Sequence, residues 1–399
     1  MKILILDDET GRAKSWKNRI ESYGDFDVFV PETSEVSNII ADLHTKRLES
    51  RKHQYQPSSV FDGYDLIMVD YDLLGLESVA GGSAWSTGAE VAYAGRLMCD
   101  VGPIVVINQY GTNSFDLTMS RTTSSYADLD VGSEQVAENS LWCASGFTGF
   151  RPWHWPNLIA EKTRYSQMHE YVLENLDAPI TQVLGFDVSE VESPRFIGHE
   201  ILGYLGIEST EAVTFRQLLT QRRDIRIFNV LEKDLPLLNN MDDRSLSRVC
   251  SVVVSHWLEK IVLPSQEVIA DLPHLAPQLP WVLSDYTEEG NWAGLCDLAG
   301  EVAIPASLEA YRFKPSFMFS RPVFWAEEVK VGLEGQGEFD IHQMPSLRFC
   351  EDISSFVQAA EAKNFPSDLL SFDKERWVQG DLKCGNTSVN YEPQSYLLM

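Results

Sequence analysis

Short apolar runs that end in carboxylates or an amide recur through the first third of the chain. Ile3-Leu4-Ile5-Leu6 gives way to Asp7, Asp8 and Glu9, and Leu66-Ile67-Met68-Val69 to Asp70, Tyr71 and Asp72. Pro103-Ile104-Val105-Val106-Ile107 ends at Asn108. Each run is too short for a helix and too uniformly apolar for a strand with one face in water, so each predicts a strand of a parallel sheet buried on both faces. Phe26 to Val30, closed by Pro31, adds another. Between these runs the apolar positions take a helical period. Trp16, Ile20 and Tyr23 predict a helix from Gly11 to about Tyr23, Val36, Ile39, Ile40 and Leu43 one over 33–43, followed by an elongated helix end and loop in the polar segment 44–62, and Ala89 to Met98 a third. The alternation β-α-β-α-β-α-β predicts an α/β fold, a doubly wound parallel sheet with right-handed crossovers.

The second half reads differently. Asn157 to Asn175 and Asp243 to about Ile261 have helical patterns, while prolines interrupt 271–281, and Phe317 and Val323-Phe324-Trp325 sit in short apolar pieces. A mixed, helix-rich α+β domain of no familiar type is expected. The aromatic stretch from Leu141 to Leu158 carries prolines and glycines at a density that marks a packed junction. It sets a boundary near 155, with a receiver-like domain at 1–155 and an output or partner-binding domain at 156–399. His256, beside Trp257 in an apolar stretch, reads as a core or boundary histidine. Asp271 and His274 could share a turn, but no H-E-x-x-H or G-x-S-x-G pattern accompanies them.

Composition narrows the function. Lys and Arg number 32 against 59 Asp and Glu, a net charge of −27 that leaves neither half basic. Phosphate neutralisation drives most nucleic-acid affinity, so a nucleic-acid partner is not expected. The six cysteines are widely spaced, without a C-x-x-C pair, and read as buried reduced thiols. No apolar run approaches the length of a membrane span, and the start lacks a signal-peptide core, so a cytoplasmic protein is expected.

Three strands thus deliver Asp7 and Asp8, then Asp70 and Asp72, then Asn108 to one sheet edge. That edge is where open α/β sheets bind ligands, although an aspartate just past a strand also serves as a plain turn or helix cap. Carboxylates brought within a few ångströms repel, and a divalent cation relieves the repulsion; oxygen ligands favour Mg2+ over zinc. A carboxylate beside such a cation can accept a phosphoryl group. Gly75 to Gly88, with Ala80-Gly81-Gly82-Ser83, lacks the G-x-x-x-x-G-K-[ST] pattern and reads as a lid or interaction loop.

Ile3-Leu4-Ile5-Leu6-Asp7-Asp8-Glu9, Leu66-Ile67-Met68-Val69-Asp70, Gly88-Ala89-Glu90-Val91 and Pro103 to Ile107 together resemble the receiver domain of two-component response regulators, the CheY-like fold. The resemblance covers about the first 150 residues, and none is recognised for the rest. It implies that Asp70 accepts phosphate from a histidine kinase or phosphotransfer protein. It also implies that Asp8 ligates Mg2+ directly, that Asp7 orients the metal shell and that the backbone carbonyl of Asp72 is a further ligand. A second protein partner would meet the C-terminal domain, or the chain would act as a phosphate sink. The chain departs from the family's pattern in two places. The family's switch hydroxyl falls on Asn108, whose amide can still donate a hydrogen bond. The family's lysine after the fifth strand falls near Ser133, no lysine lies between Lys52 and Lys162, and the aromatic switch falls near Asp130. Arg121 could supply the missing charge.

Two rival readings remain. A pseudo-receiver would bind partners without phosphorylation. Asp70-Tyr71-Asp72 also resembles the D-x-D of haloacid-dehalogenase-like phosphatases, with Asp70 as nucleophile and Asp72 as general acid, although that family too uses a lysine.

Overall fold

The structure, a computed structural model, describes residues 1–76, 87–108, 127–133, 136, 138–142, 151, 153, 155–208, 212–221, 225–228, 230–296, 304, 306–333, 340–364, 377–379, 382–384 and 387–389. The N-terminal part alternates β1 (Lys2–Leu6), α1 (Thr10–Glu21), β2 (Asp27–Phe29), α2 (Thr33–Ser50), β3 (Leu66–Asp70), α3 (Gly88–Met98), β4 (Ile104–Asn108) and β5 (Leu129–Gly132). All five strands are parallel, in the order β2-β1-β3-β4-β5. This is an α/β sheet with the order of one common doubly wound arrangement, whose direction of winding reverses between β1 and β3.

The apolar runs explain the strands. Every residue of β3 is buried, as are the last four of β1, so neither strand has a water-facing side on which a polar alternation could appear. In α1 the buried positions are Ala13, Trp16 and Ile20, one stripe against the sheet. Helix α3 is buried almost throughout, Tyr93 and Arg96 included, because a second layer covers its outer side. Its small residues, Ala89, Ala92, Ala94 and Gly95, allow that close approach. A Cβ on Gly95 would lie 2.7 Å from the Phe61 ring.

The covering layer comes from the C-terminal part, which is helix-rich. Helix α4 (Asn139–Trp142) leads through Trp153 and Trp155 to α5 (Leu158–Glu174), which packs against the long helix Asp243–Trp257. That helix continues into a π-helical turn, Leu258–Val262, rather than running on as α-helix. Strands β6 (Ile269–Asp271) and β7 (Val323–Trp325) pair antiparallel, and β8 (Leu347–Cys350) forms a hairpin with β9 (Ser355–Gln358). One apolar core runs from the sheet into the long helix without a break, and a smaller one gathers around Leu272, Trp292 and Val329. The aromatic junction is packed at its described residues: Trp142 meets Phe26 and Trp155 edge-on, and the Trp153 indole donates to Glu351 at 3.1 Å; 143–150 lie outside them. Cys99, Cys250, Cys296 and Cys350 are buried free thiols. No helix among the described residues is long and apolar enough to cross a membrane.

Two buried polar contacts tie the parts together. Asp234 accepts from Arg47 Nε at 3.1 Å, from Arg51 Nε at 2.7 Å and from the Tyr93 hydroxyl at 2.9 Å, bridging α2 and α3 to the region beyond 230. Burial alone would raise its pKa, but the hydrogen bonds and charges of Arg47 and Arg51 outweigh that and hold it below the usual carboxylate range. Asp128, ahead of β5, bonds Arg96 of α3 and the His256 imidazole. Burial lowers the His256 pKa to about 4, so the imidazole is neutral there. It is the core histidine its apolar setting predicted.

Asp234→Ala would leave two guanidiniums at a closed interface, at a cost of about 3–5 kcal/mol. Urea unfolding at pH 7 should show that loss. Because the folded-state pKa is depressed, the contribution of Asp234 is complete above about pH 4 and fades as the pH falls through the lower folded value. The difference between wild type and Asp234→Ala should therefore shrink in acid.

Candidate functional site

Strand register decides which side chains meet. Leu6 lies beside Val69 and Asp70 beside Ile107, so Asp7 and Asp8 leave β1 next to the place where Asp70 ends β3. The cluster sits at the carboxyl edge, across the point where winding reverses. Asp7, Asp8 and Asp70 each bring an oxygen within 4.8 Å of the others, a group that could hold a metal ion. Asp7 and Asp70 are fully enclosed, at 1% and 0% exposure, while Asp8 is half-buried at the mouth.

The backbone shapes this pocket. Asp7 Oδ1 accepts from the Glu9 amide at 2.7 Å, which turns the chain into α1, and Asp8 Oδ2 accepts from the Gly75 amide at 2.8 Å. Helix α3 starts directly beneath: Thr87 caps it, accepting from the Glu90 amide, and the Gly88 amide donates to the Tyr71 carbonyl at 2.9 Å. Asp72 pairs with Thr87 in an isolated bridge, which fixes the chain after β3 against the helix start. A Cβ on Gly88 would lie 2.3 Å from the Asp70 carbonyl oxygen, and one on Gly75 2.3 Å from Asp8 Oδ2. At Gly88 the obstacle is backbone, so close approach there requires glycine; at Gly75 the Asp8 carboxylate would have to turn away.

The cluster also contains a residue that the sequence did not single out. Arg12, in the first turn of α1, places Nη2 at 2.8 Å from both Asp7 Oδ1 and Asp70 Oδ2, and Nε at 3.0 Å from Asp7 Oδ2. The same Nη2 is 3.9 Å from Asp8 Oδ1, and Nη1 is 3.6 Å from Glu9 Oε2. Burial would lower the guanidinium pKa, but Asp7 and Asp70 outweigh it and raise it. Asp8, by contrast, has its pKa raised, first by burial and then by the charge of Asp7, against the opposing Gly75 hydrogen bond. The only sequence sign of Arg12 was its place four residues after Asp8, one helical turn away; its contact with Asp70 spans 58 positions.

The remaining expected positions fall as follows. Asn108 ends β4 opposite Gly132 of β5, at the same edge, and its side chain lies outside the described residues. Ser133 follows β5 directly and is half-buried. Arg121 and residues 77–86 of the glycine-rich loop lie outside the described residues.

Away from this edge, Asp271 and His274 do meet. His274 Nδ1 is 2.6 Å from Asp271 Oδ1 and Nε2 is 3.2 Å from Glu351 Oε1, so two carboxylates face the two ring nitrogens. Burial alone would lower its pKa, but these neighbours push it up to about 9. Asp271 also caps the turn Leu272–Leu275, and Trp153 and Phe349 pack on the imidazole. A histidine held as a cation between two acids is a clamp between segments, with both nitrogens engaged.

No protein-family model matches the chain, and no curated protein or solved structure is significantly similar to it.

Gly88→Ala, at the first position of α3, gains less than the interior helix propensity of about 1 kcal/mol and drives a methyl into the Asp70 carbonyl. Relief needs a backbone shift costing about 1–3 kcal/mol. The variant should be the less stable protein in urea unfolding.

Proposed function

We propose that this chain is a receiver-like signalling protein of the cytoplasm, in which Asp70 accepts a phosphoryl group from a histidine kinase or a phosphotransfer protein. The observation that carries the reading is the convergence of Asp7, Asp8 and Asp70 across the winding-reversal point of a five-stranded parallel sheet. The oxygen-only donor set fits a hard divalent cation. Asp8, Asp70 and the Asp72 carbonyl would hold Mg2+, with Asp7 orienting the shell. The ion would neutralise charge on the transferring phosphoryl oxygens.

Transfer itself falls to Asp70. One carboxylate oxygen attacks phosphorus, the new P–O bond forms as the P–N bond to the donor imidazole breaks, and the released imidazole takes a proton from solvent. The resulting acyl phosphate adds negative charge beside Asp7 and Asp8, so a nearby cation must share the load. In the family that this sequence resembles, a lysine does so together with the metal; here no lysine lies between Lys52 and Lys162, and Mg2+ would carry the load. The Asn108 amide would donate to a phosphoryl oxygen from β4. The C-terminal part, held to α2 and α3 through Asp234, would meet the next protein partner, or the chain would serve as a phosphate sink.

A second reading has its own observation. Arg12 already neutralises part of the acidic cluster, as it would in a pseudo-receiver that never takes phosphate. The two separate in one experiment. The full chain incubated with Mg2+ and a small phosphodonor should gain one phosphate by intact mass, labile in base and absent from Asp70→Asn. Label that persists in Asp70→Asn sinks the assignment, and no label on wild type supports the pseudo-receiver. Release of many phosphates per chain would instead favour a phosphatase using Asp70 and Asp72.

A further inference from the structure

Arg12 holds two of the carboxylates that would surround a cation here: Asp70, a proposed ligand, and Asp7, which would orient the metal shell. Its Nη2 is equidistant, at 2.8 Å, from an oxygen of each, and its Nε engages the other oxygen of Asp7. Magnesium binds oxygen at about 2.0–2.1 Å. An ion at that distance from Asp70 Oδ2 would lie within about 5 Å of Nη2, and both are positive. The guanidinium and the ion therefore compete for the Asp70 carboxylate.

Arg12 also has somewhere to go. It stands in the first turn of α1 at the rim, its side chain 23% exposed, with Nη1 already near Glu9, whose own side chain is 70% exposed. Trp16, one turn further on, lies with its ring 5.4 Å from the guanidinium. Glu9 thus offers a carboxylate outside the cluster, while the Trp16 ring already flanks the guanidinium in the closed state. Asp8, at the mouth and 3.9 Å from Nη2, is the carboxylate that Arg12 holds least closely and the natural first contact for an arriving ion.

We propose that Arg12 is a built-in counter-ion that sets the cation affinity of this site: it closes Asp7 and Asp70 when no ion is bound and releases them, turning outward onto Glu9, when one binds. The inference rests on the reading of the acidic cluster as a divalent-cation site. It makes the resting site a closed one, in which the acceptor carboxylate of Asp70 is held by Arg12 until an ion displaces it. Arg12 acts here as a positioning residue.

Calorimetric titration of the full chain with magnesium chloride tests it, using wild type, Arg12→Gln, Arg12→Lys, Asp8→Asn and Lys14→Gln. Lys14 is the nearby control: it pairs with Glu32 at 2.8 Å, outside the cluster, and its loss removes the same unit charge. Removing the competing cation should tighten binding in Arg12→Gln roughly tenfold. Arg12→Lys should fall between that variant and wild type, Lys14→Gln should stay close to wild type, and Asp8→Asn should bind poorly. Thermal melts of each variant confirm that it is folded, and Arg12→Lys preserves the charge should Arg12→Gln fail to fold. Equal tightening in Arg12→Gln and Lys14→Gln would reduce the effect to general charge and overturn the proposal. Unchanged affinity in Arg12→Gln, with binding lost in Asp8→Asn, would overturn it while leaving the cation site standing. Absence of binding in both wild type and Arg12→Gln would remove the cation site itself.

Discussion

Three carboxylates brought together at the edge of a buried sheet are the constraint on which this structure turns. Asp7 and Asp70 are enclosed, and Asp8 stands at the mouth, all within reach of one another. Such a group is tolerable only with positive charge beside it, since each desolvated acid raises the cost of ionising the next. The chain supplies that charge from the first turn of its own α1, through Arg12. The surrounding backbone is fitted to the same place. The amides of Glu9 and Gly75 point at the acids, and Gly75 and Gly88 leave room that a methyl group would take.

The buried charges elsewhere obey the same rule and do structural work. Asp234 is matched by Arg47 and Arg51, and Asp128 by Arg96 with a neutral His256. His274 lies between Asp271 and Glu351. Each of these groups joins segments that are far apart in the chain, which is how a protein of strongly negative net charge holds its layers in register. Helix α3 takes part in the first two of these groups. It begins at the Asp70 carbonyl, offers Tyr93 to Asp234 and Arg96 to Asp128, and so connects the acidic edge mechanically to the helix-rich C-terminal part.

Much of the sheet was legible because both of its faces are buried. Runs such as Leu66 to Val69 have no polar alternation to obscure them, and their carboxylate ends mark the edge where the site lies. Helix α2 shows where that legibility stops. Its apolar period ends at Leu43, and the polar stretch beyond suggests only an elongated helix end; the helix runs to Ser50, and the buried residues of its last turns are Arg47 and Ser50. The burial of Arg47 depends on Asp234, far along the chain, so no local hydrophobic pattern reveals it. Arg12 was hidden for the same reason: a charged residue beside an acidic pair looks like a solvated helix start until strand pairing brings Asp70 across from it. In the C-terminal part the long helix was visible through Leu246, Val249 and Val253, but its change to a π-helical turn at Leu258 leaves the apolar pattern unbroken.

The most direct measurement is a crystal structure of the full chain grown with Mg2+ and beryllium fluoride, a stable mimic of the phosphoryl group. If Asp70 is the acceptor and Mg2+ displaces Arg12, beryllium is joined to a carboxylate oxygen of Asp70, Mg2+ lies among Asp8, Asp70 and the Asp72 carbonyl, and the Arg12 guanidinium has left Asp7. A structure with Arg12 still bonded to Asp7 and Asp70, and with no adduct on Asp70, would contradict both roles.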